Sequence, residues 1–215
     1  MPEGEYLVIA TRNRGKVSEI QKILCIPGLK LLSVADFPGL PEVEEDGLTY
    51  TENAIKKARV VAEYSGYPSL ADDSGLEVDC LDGRPGVMSA RFAGVPCDDQ
   101  ANIRKLLALM KDIPPERRTA RFRCVVAFTT PGGETITREG TCEGFITESP
   151  RGTRGFGYDP IFLVPHLGKT FGEIDEDVKN MVSHRARALG AIRFDICQAL
   201  GYNIFAGNPG NNACR

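Results

Sequence analysis

Apolar positions along this chain come in three textures: a short unbroken run near the start, helical stripes, and long β-branched stretches. Residues 6–10 (YLVIA) form a run without a polar position and predict a buried strand. After Thr11-Arg12-Asn13-Arg14-Gly15, apolar residues recur at helical spacing at Val17, Ile20, Ile23 and Leu24. A second helix is expected over residues 50–64, where Thr49 and Glu52 have capping-box spacing and Gly66 stands just past the end. Asp98 or Asp99 can cap a third, striped by Ile103, Leu106, Leu107 and Met110. Residues 121–130 and 134–146 are rich in β-branched residues and flank Pro131-Gly132-Gly133, the pattern of a hairpin. Ser183 can cap a last helix carrying Leu189, Ile192, Ile196, Ala199 and Leu200, ended by Gly201; the Gly/Asn-rich tail after Tyr202 is expected to fray. Strand-helix units followed by an antiparallel hairpin predict an α/β fold, with a mixed central sheet of long strands. No linker or repeat divides the chain, so residues 1–215 are expected to form a single domain, with two lobes sharing the sheet and function in loops at strand ends.

Composition narrows the picture. The 215 residues can bury about 70% of the unfolded surface. Lys+Arg 26 against Asp+Glu 29 gives a net charge of −3, which offers no global basic field for nucleic acid. An anionic ligand would therefore need a local cationic cluster. Seven cysteines, an odd number without a C-x-x-C pair, argue against a disulfide framework and a zinc site and point to a reducing compartment. The absence of an apolar run near roughly 18 residues, and of a charged-then-apolar leader at Met1, predicts no membrane span and a cytoplasmic protein.

Five stretches carry candidate chemistry. In SLADDSGLEVD (69–79), Asp72 and Asp73 stand side by side before Ser74-Gly75, which suits either a turn or, at a strand end, a site for a divalent cation and its water. TRNRGK (11–16) lacks the first glycine of a P-loop and has Val17 in place of its Ser/Thr. Thr11, Asn13, Lys16 and the helix N-terminus could still hold an anion, or Thr11 or Asn13 could simply cap the helix. Glu44-Glu45-Asp46 is either an acidic first turn or a source of further oxygen ligands, and of the adjacent Lys56 and Lys57 only one can face it. Gly155-Phe156-Gly157-Tyr158-Asp159 offers a ring that could stack on a base and a carboxylate that could read an N–H, or else a tight turn with Phe156 in the core. His184 and Arg185, cationic at a helix start against the macrodipole, call for a compensating acceptor, whereas His166 reads as structural.

A cation site, lysines suited to phosphates, an aromatic stacker and paired donors are the parts needed for a nucleoside triphosphate with Mg²⁺. The stretches VIATRNRGK (8–16), EEDGLTYTENAIKKA (44–58), ADDSGLEVDCLDGRPGVMSARFAG (71–94), GFGYDPIF (155–162) and SHRARAL (183–189) resemble, in order, those of the inosine/xanthosine triphosphate pyrophosphatases. The resemblance implies two lobes flanking a nucleotide cleft, a homodimer, and hydrolysis of ITP, dITP and XTP to monophosphate and pyrophosphate. It further implies that Thr11, Asn13, Lys16, Lys57 and Lys179 hold phosphates, and that Glu45 and Asp73 bind Mg²⁺, with Asp73 also directing the attacking water. Ser74 would line the site, Phe156 with Gly157 and Tyr158 would hold the base, and Asp159, His184 and Arg185 would read its edge. Arg12 departs from the glycine frequent in that family, and would either crowd the loop or add a phosphate contact. An aspartyl-phosphate phosphatase is disfavoured, since Asp175-Glu176-Asp177 does not follow an apolar strand. A nucleotide sensor without turnover is the remaining alternative.

Overall fold

A computed structural model describes residues 6–202; the tail discussed above lies outside them. Strand β1 (Tyr6–Ile9) leads through a polar loop to helix α1 (Arg14–Ile23), which Asn13 caps by accepting from the Lys16 amide, and then to a short strand β2 (Lys30–Ser33). Helix α2 (Tyr50–Ser65) starts at the complete Thr49/Glu52 capping box and stops at Gly66, whose φ of 70° needs no Cβ. Strand β3 (Ser69–Val78) is followed by α3 (Asp99–Leu109), capped by Asp98. The expected hairpin is β4 (Thr119–Thr129) and β5 (Thr135–Ile146). Two short strands, β6 (Phe162–Val164) and β7 (Lys169–Thr170), and helix α4 (Glu176–Val182) precede α5 (His184–Ala199), whose cap is Ser183.

The seven strands form one sheet in the order β2-β1-β3-β4-β5-β6-β7, parallel from β2 to β3 and antiparallel beyond. The mixed α/β sheet is therefore as the sequence pattern predicts. Side chains of β1 alternate between the two faces. Leu7 and Ile9 join Ile20 of α1 and Ile192 of α5, while Val8 joins Ala54, Ala58 and Val61 of α2. A third core, at the far ends of the long strands, gathers Leu76, Phe122, Phe162, Phe171 and Ile103. The long strands β3 and β4 contribute to all three cores, and β5 adds Cys142 and Ile146 to the third.

Helix α5 lies unusually close to the sheet. A Cβ at Gly140 of β5 would stand 2.3 Å from the His184 carbonyl oxygen and 2.5 Å from the Ala188 nitrogen. Among the described residues, no helix is long and apolar enough to cross a membrane. Cys80, Cys97, Cys124, Cys142 and Cys197 are free. Cys25 is disulfide-bonded, a bond the odd cysteine count did not foretell.

Candidate functional site

The Asp72-Asp73 pair is neither a turn nor a strand end. Both residues lie inside the ten-residue strand β3, paired with Val126 and Val125 of β4. A strand turns successive side chains to opposite faces, so the two carboxylates never share a pocket. Each has its own direct ion pairs, Asp72 with Lys16 and Arg185 and Asp73 with Lys57, and the repulsion that their adjacency suggests is reduced by geometry.

On the face shared with α1 and α5, Asp72 is fully buried. Its Oδ2 accepts from Lys16 Nζ at 3.0 Å and from Arg185 Nη2 at 2.9 Å. Burial alone would push its pKa up, but Lys16, then Arg185 and Lys57, outweigh it and hold the carboxyl well below the usual range. Arg185 continues the chain of charges through Nη1 to Glu19 and through Nη2 to the Ser74 hydroxyl at 2.9 Å. Glu19 also holds Lys179 at 2.7 Å, and Lys179 donates to Asp159 Oδ2 at 2.5 Å. Asp159 Oδ2 accepts in addition from the Phe156 amide at 2.9 Å, which orients the Phe156 loop. A Cβ at Gly155 (φ +75°) would fall 1.9 Å from that oxygen, so the turn requires glycine. Phe156 is half-buried, its ring centroid 4.7 Å from Lys179 Nζ. His184 is 4% exposed and stacks on Phe122 at 4.7 Å. Burial, reinforced by the charges of Arg185 and Lys179, pushes its pKa well below 6.5, and the ring is neutral at pH 7. Its Nδ1 is buried without a hydrogen-bond partner among the described residues.

The other face of β3 is acidic and less complete. Lys57 donates to Glu45 Oε1 at 2.6 Å and to Asp73 Oδ1 at 3.3 Å, so one ammonium gathers carboxylates from a loop and a strand. Lys56 turns outward to Asp46. Asp73 is 6% exposed, and burial, with the Glu45 charge, raises its pKa against the pull of Lys57 and Lys16. Its Oδ2 accepts from Asn53 Nδ2 at 3.1 Å. Glu45 and Asp73 both line one cavity with Asn13, Lys16, Ser74, Phe156, Gly157, Tyr158, Asp159, Lys179, His184 and Arg185. Thr11 and Lys57 line an adjoining cavity that shares Glu45.

The family model described as the Ham1 family matches residues 7–194. The chain belongs to the Ham1 family. It is 55% identical over 183 residues to the dITP/XTP pyrophosphatase of Desulforamulus reducens, covering 85% of this chain and 91% of that protein. It is 54% identical over 187 residues to the protein of the same description in Geobacter sulfurreducens, covering 87% and 94%. The solved HAM1 protein of Coxiella burnetii superposes with a TM-score of 0.81 at 39% identity, covering 90% of this chain and 98% of that one.

The Ham1 fold brings all fourteen sequence-predicted residues to these two cavities, but their partners differ from the sequence reading in two respects. Lys179 sits beside the Phe156 ring, held by two carboxylates, and Arg185 is saturated by Asp72, Glu19 and Ser74. Arg12 lines the adjoining cavity beside Thr11 and Glu45, and its Nη2 donates to the Leu40 carbonyl at 3.0 Å, bracing the segment that leads to Glu45. Four residues of the site went unnoticed in the sequence: Glu19, Asn53, Arg91 and Asp99. Asp99 accepts from the Gly157 amide at 2.7 Å, and Arg91 Nη2 donates to the Glu45 carbonyl at 2.8 Å. Spacing held a signal for two of them, since Asn53 lies one helical turn before Lys57 and Glu19 falls among the apolar stripe of α1.

Proposed function

We propose that this Ham1 protein hydrolyses dITP, ITP and XTP to the monophosphate and pyrophosphate, removing them from the cytoplasmic nucleotide pool. The observation that carries the reading is the meeting of Glu45 and Asp73 on one ammonium, in a cavity that Phe156 and His184 also line. The names of the relatives at 55% and 54% identity support the substrate class.

The donor set suits Mg²⁺. Two carboxylates from separate segments face the cavity with a single ammonium between them, one positive charge short of balance. Among the described residues, no three His, Cys, Asp or Glu side chains converge as a protein-only cage, so water and phosphate oxygens would complete the shell, as this ion prefers. When bound by Glu45 and Asp73, Mg²⁺ would supply charge stabilisation to the phosphoryl oxygens. The raised pKa of Asp73 suits it to take the proton of a water attacking the α-phosphorus. Lys16, Asn13 and the first amides of α1 face the phosphates, with Lys57 and Thr11 beside them in the adjoining cavity. Lys179 we assign to the base end, against Phe156.

Specificity then rests on His184, with Arg185 beside it fixed by its own carboxylates. A 6-keto oxygen accepts a hydrogen bond from the imidazole N–H, whereas the amino group of adenine leaves donor facing donor, a mismatch of about 1–3 kcal/mol. The cavity holds about 120 Å³, and Phe156 and Lys179 also line a neighbouring one of about 510 Å³. A homodimer belongs to the same reading, and Leu48 and Val95, 86% and 83% exposed, are apolar surface available to a second copy. Pyrophosphate release measured across ITP, dITP, XTP, GTP and ATP, with and without Mg²⁺, tests the activity: release from the first three that needs the ion is expected. Release of inorganic phosphate with a nucleoside diphosphate would overturn it.

A further inference from the structure

Asn53 belongs to none of the groups assigned a role above, yet it joins both acidic elements. It is 2% exposed on α2, one turn before Lys57. Its Nδ2 donates to Asp73 Oδ2 at 3.1 Å and, more weakly, to the Gly47 carbonyl at 3.5 Å, while its Oδ1 accepts from the Gly47 amide at 2.8 Å. Gly47 lies two residues beyond Glu45, in a stretch without helix or strand. One buried amide thus uses both donors and its acceptor to fasten a strand carboxylate to the loop bearing the other carboxylate. Only a primary amide of this length does so: aspartate would lose the donors and repel Asp73, leucine would bond neither, and glutamine is a methylene too long. The loop is fitted to it, since a Cβ at Gly47 would stand 2.7 Å from Asn53 Oδ1. Arg91 and Arg12 hold the same loop by carbonyls, so the amide's particular contribution is the link to Asp73.

We propose that Asn53 is a positioning residue that sets the placement of Glu45 relative to Asp73, and with it the affinity of the site for a divalent cation. The inference rests on the reading of those two carboxylates as the cation's ligands. Removal of a hydrogen-bond partner behind metal ligands typically weakens binding about 10–100-fold, and that is the range expected here.

The test is Mn²⁺ binding by nucleotide-free protein, followed by electron paramagnetic resonance of the free ion, for the parent chain, Asn53→Leu and Gly47→Ala. The last reaches the same bonds from the loop side and leaves residue 53 intact if the first variant does not fold. Both variants are expected to bind Mn²⁺ at least about tenfold more weakly than the parent. Their dITP hydrolysis should recover as Mg²⁺ is raised, with KM for dITP at saturating Mg²⁺ changed less than about threefold. A merely structural loss would lower the folded fraction and would not be recovered by the ion. Parent-like Mn²⁺ affinity in a folded variant overturns the inference. Failure of the parent itself to bind Mn²⁺ overturns instead the ligand assignment beneath it, and the two failures are thereby distinguished.

Discussion

The two faces of strand β3 start from the same residue type and end in opposite electrostatic states. Around Asp72, three cations (Lys16, Arg185, Lys179) meet three carboxylates (Asp72, Glu19, Asp159) in a buried chain of contacts. Around Asp73, one cation meets two carboxylates. A balanced buried network is a finished structure, whose charges fix one another in place at considerable desolvation cost. An unbalanced one has room for an ion that the chain does not itself supply. On the function proposed above, the balanced face holds the base-reading groups with Lys16 at its phosphate edge, and the unbalanced face is where charge is handled as bonds change.

That contrast can be broken in graded ways. Asp73→Asn should lower kcat about 10³-fold while leaving the fold intact, because a general base is lost from a face that carries surplus negative charge; steady-state kinetics beside a denaturation curve decides it. Arg185→Met should do the reverse in emphasis, destabilising the protein by about 3–5 kcal/mol by leaving Asp72 and Glu19 buried without their shared partner, as read from urea unfolding. If Arg185→Met were as stable as the parent, the balanced network would not be the finished structure described. His184→Ala should reduce the preference for ITP over ATP about 10–100-fold, with ITP turnover less affected, in paired kcat/KM measurements.

A pH dependence of stability follows from the same histidine. Its folded-state pKa lies below 6.5, so below that pH the unfolded chain takes up a proton that the folded chain refuses. Stability contributed by His184 is therefore present above about pH 6.5 and lost as pH falls, with a slope of at most about 1.4 kcal/mol per unit. Unfolding midpoints at pH 7.5, 6.5 and 5.5 should show the slope in the parent and a shallower one in His184→Gln. Arg12→Gly, which removes a single bond to Leu40, should lower stability by about 1 kcal/mol, as read from urea unfolding.

Where local chemistry decides structure, the sequence was legible. The Thr49/Glu52 box, Gly66, Asp98 and Ser183 caps and the Pro-Gly-Gly turn act within a few residues, and the helices and hairpin they delimit stand where expected. Strand β3 was not legible through Asp72-Asp73-Ser74-Gly75, because carboxylates and glycine disfavour strands and favour turns. What overrides that preference comes from far along the chain: Lys16, Lys57 and Arg185 neutralise the two residues, and β4 pairs with every position. The four-residue β2 and seven-residue α4 were missed since neither is long enough to show a period. At the site, Glu45, Asp73 and the choice of Lys57 over Lys56 could be named in advance. The Glu19–Lys179–Asp159 linkage could not, as its members stand 20 to 160 positions apart and meet only in the folded chain.

The missing side chain at Gly140 gives the base pocket an unexpected dependence. With the start of α5 resting directly on the bare backbone of β5, the imidazole of His184 is mounted on a helix seated against the sheet instead of on a loop. A methyl group at 140 would act as a shim, lifting the helix from its bearing surface. Discrimination between purines would then be lost through a position that touches no nucleotide.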